Sequence, residues 1–308
     1  MNLFQSSYLS ILILSAFTFS GCSSSSNDDN GGGSDMSGNT NRNVVTTGLP
    51  SEVTRFEFPK VSSAGNDTII VHYAPEPGST RQDVNYSLAW DKTKKANQFT
   101  CYEMYANNRQ SNATRYEPGN GEDQYPQDAS LPSKYRSPID PYKGSGYDHG
   151  HLCPSADRLY STFANYQTFF LSNMNAQIHN FNAGIWEVME EQLRDWISTS
   201  SPVTDTLFVC KGGTISEGNY TTGKNNLVVP KYFFSAVLMK NKSGYKAIGF
   251  WFDANNTTTS KDLRPYIVNI ETLQEKTGLD FFCNLPDKTE KEVENLNVTN
   301  VKRAWGFN

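Results

Sequence analysis

Gly144-Ser-Gly-Tyr-Asp-His-Gly-His-Leu-Cys-Pro-Ser-Ala-Asp-Arg158 holds two of the four histidines in a chain of 308 residues, His149 and His151, one residue apart. About thirty residues on runs Leu171-Ser-Asn-Met-Asn-Ala-Gln-Ile-His-Asn-Phe-Asn-Ala-Gly-Ile-Trp-Glu-Val-Met-Glu190, rich in oxygen ligands and leading into a helical period. Ile185, Trp186, Val188, Met189, Leu193, Trp196 and Ile197 recur at spacings of three and four, which predicts an amphipathic helix over 182–199. A histidine-bearing turn followed by such a helix places an imidazole base opposite side chains suited to a hard cation.

Around this core the chain alternates aromatic and β-branched runs with Gly, Asn, Asp and Pro. Strands are expected at 68–73, 86–90, 98–105, 167–171, 206–210, 227–239 and 245–252, the last two joined by a polar turn over Lys240–Tyr245. A second helix is expected over 265–276, stopped by Gly278. Strands in series with few helices imply an α+β fold, a central antiparallel β-sheet with flanking helices.

Residues 8–19 form an apolar stretch too short to span a bilayer but right for a signal peptide, and Phe19-Ser-Gly-Cys22 resembles the lipobox of bacterial lipoproteins. The expected organisation is therefore a signal peptide (1–21), a lipidated Cys22 with a flexible Ser/Asn/Gly tether (22–52) and one folded domain (53–308). The expectation for localisation is export to the outer membrane, with membrane contact only through the lipid. Cys101, Cys153, Cys210 and Cys283 remain as an even set, and three disulfide pairings are open. A net charge of −5 gives no global attraction to polyanions, so nucleic-acid binding would need a local basic patch.

Hydrolysis of a phosphodiester requires an activated water and relief of negative charge on the phosphoryl group. His151 supplies a base near the ordinary imidazole range, and Asn182 at the helix start offers the one or two oxygens that Mg²⁺ takes from a protein. Glu190 follows Asn182 by eight residues and Arg194 follows Glu190 by four, so Glu190 and Arg194 are expected to be helix neighbours able to pair. A zinc site from His149, His151 and Cys153 is the competing metal reading, short of a fourth ligand.

These residues carry a resemblance. The chain is similar to the DNA/RNA non-specific endonuclease family, with its ββα-metal or His-Me finger site. The family's Asp-Arg-Gly-His motif corresponds to Asp148-His149-Gly150-His151, and its Ser-Asn-Met-x-Pro-Gln segment to Ser172–Gln177. The resemblance implies His151 as general base, Asn182 as metal ligand, Glu190 and Arg194 as catalytic helix residues, and Asn173 as a substrate contact. An upstream phosphate-binding arginine falls on Arg115 in preference to Arg109. It implies Mg²⁺ as cofactor, with Mn²⁺ the alternative, DNA and/or RNA as substrate, and 5′-phosphate products. Two positions depart from the pattern: His149 stands where the family has Arg, and Ala176 where it has Pro. A neutral imidazole does not replace a guanidinium. The different-class alternative is therefore a catalytically silent surface module on the same fold that binds polyanions or a protein partner.

Overall fold

Period-two alternation along the strands decides the layering. In chain order the elements are β1 (Asp67–Pro75), β2 (Gln82–Asp91), β3 (Ala96–Met104), β4 (Asp148–His151), α1 (Thr162–Gln167), β5 (Met174–Gln177) and α2 (His179–Phe181). A π-type turn, Asn182–Trp186, leads into α3 (Glu187–Asp195), followed by β6 (Thr206–Gly213), β7 (Tyr220–Thr222), β8 (Val228–Pro230), β9 (Tyr232–Asn241) and β10 (Gly244–Asp253). β11 (Ile267–Val268), α4 (Ile270–Thr277), α5 (Asp287–Glu294) and α6 (Val298–Ala304) complete the chain. This computed structural model describes residues 38–197 and 205–308; the expected signal peptide and Cys22 lie outside the described residues.

Seven strands form one antiparallel sheet in the order β1-β2-β3-β6-β9-β10-β11, with β6 at its centre. On β6, Leu207 and Val209 join the apolar layer under Trp186, Met189 and Leu193. Phe208 and Cys210 join the opposite layer with Phe281 and Leu273. Burying both faces explains why the strand reads as a continuous apolar run. The antiparallel α+β expectation holds, and so does the β9/β10 hairpin, which turns between Asn241 and Gly244.

Five expectations need correction. Residues 167–171 are no strand: Ser161 accepts a hydrogen bond from the Ala164 N–H and starts α1, so the aromatic run turns rather than extends. The 227–239 run breaks at Lys231 between β8 and β9. The helix expected from 182 starts as a π-type turn with non-helical angles at Ala183 and Gly184, and regular helix begins at Glu187; the second helix starts at Ile270, capped by Asn269, and stops before Gly278 at φ 71°. Residues 38–52, assigned above to a tether, belong to the folded body. Thr40 and Asn41 bond Asp287, Asp280 and Glu290, and buried Asn43 bonds Asn284, Val53 and Pro59.

The disulfide expectation fails as well. Cys101, Cys153, Cys210 and Cys283 are all free, buried thiols. Cys101 and Cys210 face one another across β3 and β6, and serve as small apolar core residues.

Candidate active site

β4 and β5 form a short antiparallel ribbon with Asp148 opposite Gln177, His149 opposite Ala176 and His151 opposite Met174. Gly150 is required there, since a Cβ would lie 2.4 Å from the Gln177 side chain. Asn173 closes the ribbon's end. Its Oδ1 accepts from the Cys153 N–H (2.9 Å), and its Nδ2 donates to the Cys153 and Thr168 carbonyls (2.8 Å each). Fully buried, with both ends of its amide used internally, Asn173 is a structural clamp and not the substrate contact expected from the resemblance.

His151 projects from this ribbon against the edge of Phe169, ring centroids 5.0 Å apart. A backbone hydrogen bond with His149 anchors the imidazole, while Nε2 is shielded from solvent and has no hydrogen-bond partner. Burial, reinforced by the Arg115 cation, pushes its pKa down to about 3. The ring is therefore neutral at physiological pH, with an unspent nitrogen. Arg115 lies over the face of the same Phe169, 4.7 Å from its centroid. Arg109 donates to the Ala156 carbonyl at 3.4 Å and lies near Asp157 and Arg194 rather than His151.

Asn182 sits in the π-type turn, and its Nδ2 donates to Asp148 Oδ2 at 3.0 Å. Exposed His179 contacts the same oxygen at 2.8 Å. Because the carboxylate can only accept, it fixes the amide with Nδ2 inward and leaves Oδ1 as the outward end. A partly exposed amide oxygen held this way fits a hard cation that keeps most of its water. The zinc grouping does not form: among the described residues the one convergence of three such ligand atoms is Asp280, Glu290 and Glu294.

The expected Glu190–Arg194 pair is replaced by two others. Glu190 Oε1 takes a hydrogen bond from Lys211 Nζ at 2.8 Å, and Arg194 Nη1 donates to Asp157 Oδ1 at 3.1 Å. Burial pushes the Glu190 carboxyl above its ordinary range, and Lys211 pulls it back. For Arg194, burial is outweighed by Asp157 and Glu190, which keep the guanidinium charged. Asp157 is itself fully buried and also accepts from the Tyr102 hydroxyl at 2.9 Å.

His149, the departure from the family pattern, is stacked on Tyr125 (3.6 Å, 7° between planes), leans on Tyr142 (4.5 Å) and meets Asp140 Oδ2 at 2.9 Å. It lines a cleft of about 720 Å³ with Lys143 and Lys224 on its walls. Lys211, Asp157, Asp140 and Tyr125 were missed in the sequence. Only Lys211 carried a usable signal, as the single charge in the apolar Leu207-Phe-Val-Cys-Lys211 strand.

The family profile described as DNA/RNA non-specific endonuclease matches residues 65–288. The chain belongs to that family. Among relatives of this endonuclease, Nuclease C1 of Cunninghamella echinulata var. echinulata is 28% identical over 230 residues, covering 70% of this chain and 88% of the relative. The Nuclease of Nostoc sp. is 28% identical, covering 68% and 75% of the two chains. Mitochondrial Endonuclease G of Bos taurus is 28% identical over 170 residues, covering 52% and 56%. A solved structure, "Crystal structure of the EndoG/EndoGI complex: Mechanism of EndoG inhibition", shares the fold with a TM-score of 0.62 at 20% identity, covering 82% of this chain and all of that one. The endonuclease acts on nucleic acid, and nothing in these relatives favours the silent-module alternative.

Proposed function

We propose that the endonuclease hydrolyses DNA and RNA phosphodiesters with His151 as general base, and that Asn182 holds Mg²⁺, or Mn²⁺ in its place. The observation that supports this most is the solvent-shielded, unpartnered Nε2 of a neutral His151 on the ribbon whose Asp148 orients Asn182. His151 takes the proton from a water as it attacks phosphorus. When bound, the cation supplies charge neutralisation at a non-bridging oxygen and at the departing 3′ oxygen. Glu190 accepts hydrogen bonds from water in the site. Arg115 and the donors of Arg194 not spent on Asp157 hold phosphate oxygens. His149 lines the approach to the phosphate, and 5′-phosphate ends follow from departure of the 3′ oxygen. The test is digestion of plasmid DNA and of structured RNA with Mg²⁺ and with chelator, followed by end-group analysis. Metal-dependent cleavage of both with 5′-phosphate ends is expected; metal-independent cleavage overturns the assignment.

As a second part of the proposal, the domain is exported and anchored to the outer membrane through lipidated Cys22, on the strength of the 8–22 segment. Among the described residues no helix is long and apolar enough to cross a membrane. Radiolabelled fatty acid incorporated by the full chain and lost in Cys22→Ala is the expected result; equal labelling contradicts it.

A further inference from the structure

Lys211 lies on the central strand β6, in register with Thr100 and Ser235, and none of its side chain reaches solvent. Its Nζ has one carboxylate partner, Glu190, and lies 5.6 and 5.3 Å from the Tyr102 and Trp186 ring centroids. Burying an ammonium in this layer is costly, and a buried ion pair is commonly no more stabilising than apolar residues of the same volume. Stability therefore gives no reason for a lysine here. Position does: the strand brings a fixed cation up beneath Glu190 on the α3 side of the sheet, close enough that the same charge acts on His151.

The geometry points to Lys211 as a positioning residue, which holds the Glu190 carboxylate ionised and in one orientation so that it accepts hydrogen bonds from water in the site. This rests on the role given to Glu190 above. Without the ammonium, the groups facing Glu190 are Asp157, Arg194, Tyr102 and Cys153. Arg194 hydrogen-bonds Asp157 and makes no hydrogen bond to Glu190, and its charge is offset by that of Asp157, so the desolvated carboxyl would take up a proton and become a donor.

The test compares the full-length protein with Lys211→Met, Lys211→Arg, Glu190→Gln and the Lys211→Met/Glu190→Gln double variant. The inference expects protonated-carboxyl infrared absorption at neutral pH in Lys211→Met over and above that of the wild type, in which Glu290 and Glu294 already hold protons, and no such gain in the double variant. Turnover of Lys211→Met at pH 7 should fall about 10- to 100-fold, as for other groups that orient a site residue, and should recover as pH is raised. Lys211→Arg, which restores a cation, should regain most of it. If Lys211→Met does not fold, Lys211→Gln carries the same measurements. A uniform loss with an unchanged pH profile and no added carboxyl absorption over the wild type, while Glu190→Gln is inactive, overturns the positioning role alone. Full activity of Glu190→Gln overturns the catalytic reading of Glu190, and the positioning role with it.

Discussion

Two groups of buried carboxylates sit on opposite terms with their surroundings. Glu190 is 9% exposed and Glu290 is 6% exposed, and burial pushes the pKa of both up. Beside Glu190 stands the Lys211 ammonium at 2.8 Å. Beside Glu290 stand Asp280 and Glu294, with ligand oxygens within 4.8 Å of one another, and the neutral amide of Asn41. The nearby Lys60 ammonium donates to the Asn41 and Arg42 carbonyls rather than to this cluster. Burial with two neighbouring carboxyls carries Glu290 up to about 7 and Glu294 up to about 8. Burial raises both carboxyls; at Glu190 the Lys211 ammonium opposes the rise, while at Glu290 the neighbouring carboxyls add to it.

The largest effect that sharpens this contrast lies at the site end. Asn182→Ala removes the amide oxygen that Asp148 orients, and the Mg²⁺ concentration for half-maximal cleavage should rise about tenfold or more. An unchanged titration moves the ligand elsewhere. The carboxyl cluster should show itself in stability. Glu290 and Glu294 have folded pKa values raised above the unfolded value, so their contribution is fully present below about pH 4.5 and is lost as pH rises through about 7 to 8. Glu294→Gln should flatten that fall by on the order of 1 kcal/mol, discounted for partial exposure. Thermal melts from pH 5 to 9 read it, and identical slopes refute it. His151 has the opposite sign: its pKa, depressed to about 3, makes the fold lose stability as pH drops from about 6.5 toward 3, a slope that His151→Ala removes. The smallest effect is at His149. Because Asp140 already takes one side of the ring, His149→Arg should lower KM only about two- to tenfold and steepen the salt dependence. A higher KM would mean that the Tyr125 stack, not charge, is what the position provides.

What could be read in the sequence followed the reach of each interaction. The alternation of Leu207 and Val209 with Phe208 and Cys210 is local, and so is the apolar period of Met189 and Leu193; both are legible. The partners of Glu190 and Arg194 were not, because Lys211 and Asp157 reach α3 only through the folded sheet and the segment after β4. Helix spacing alone made Glu190 and Arg194 look like each other's partners. Asn173 was misread for a related reason: an asparagine that clamps backbone at 153 and 168 has the same sequence signature as one that waits for substrate. Residues 38–52 looked like tether by composition, yet their Asn and Thr side chains bond the acidic C-terminal helix region.

The central claim is that a neutral His151 removes the proton from the attacking water. Single-turnover cleavage of plasmid DNA by His151→Ala, with DNA affinity measured on the same preparation, tests it most directly. The account predicts a loss of at least about a hundredfold in the cleavage step with affinity nearly unchanged. Cleavage within a fewfold of wild type by the folded variant would contradict it.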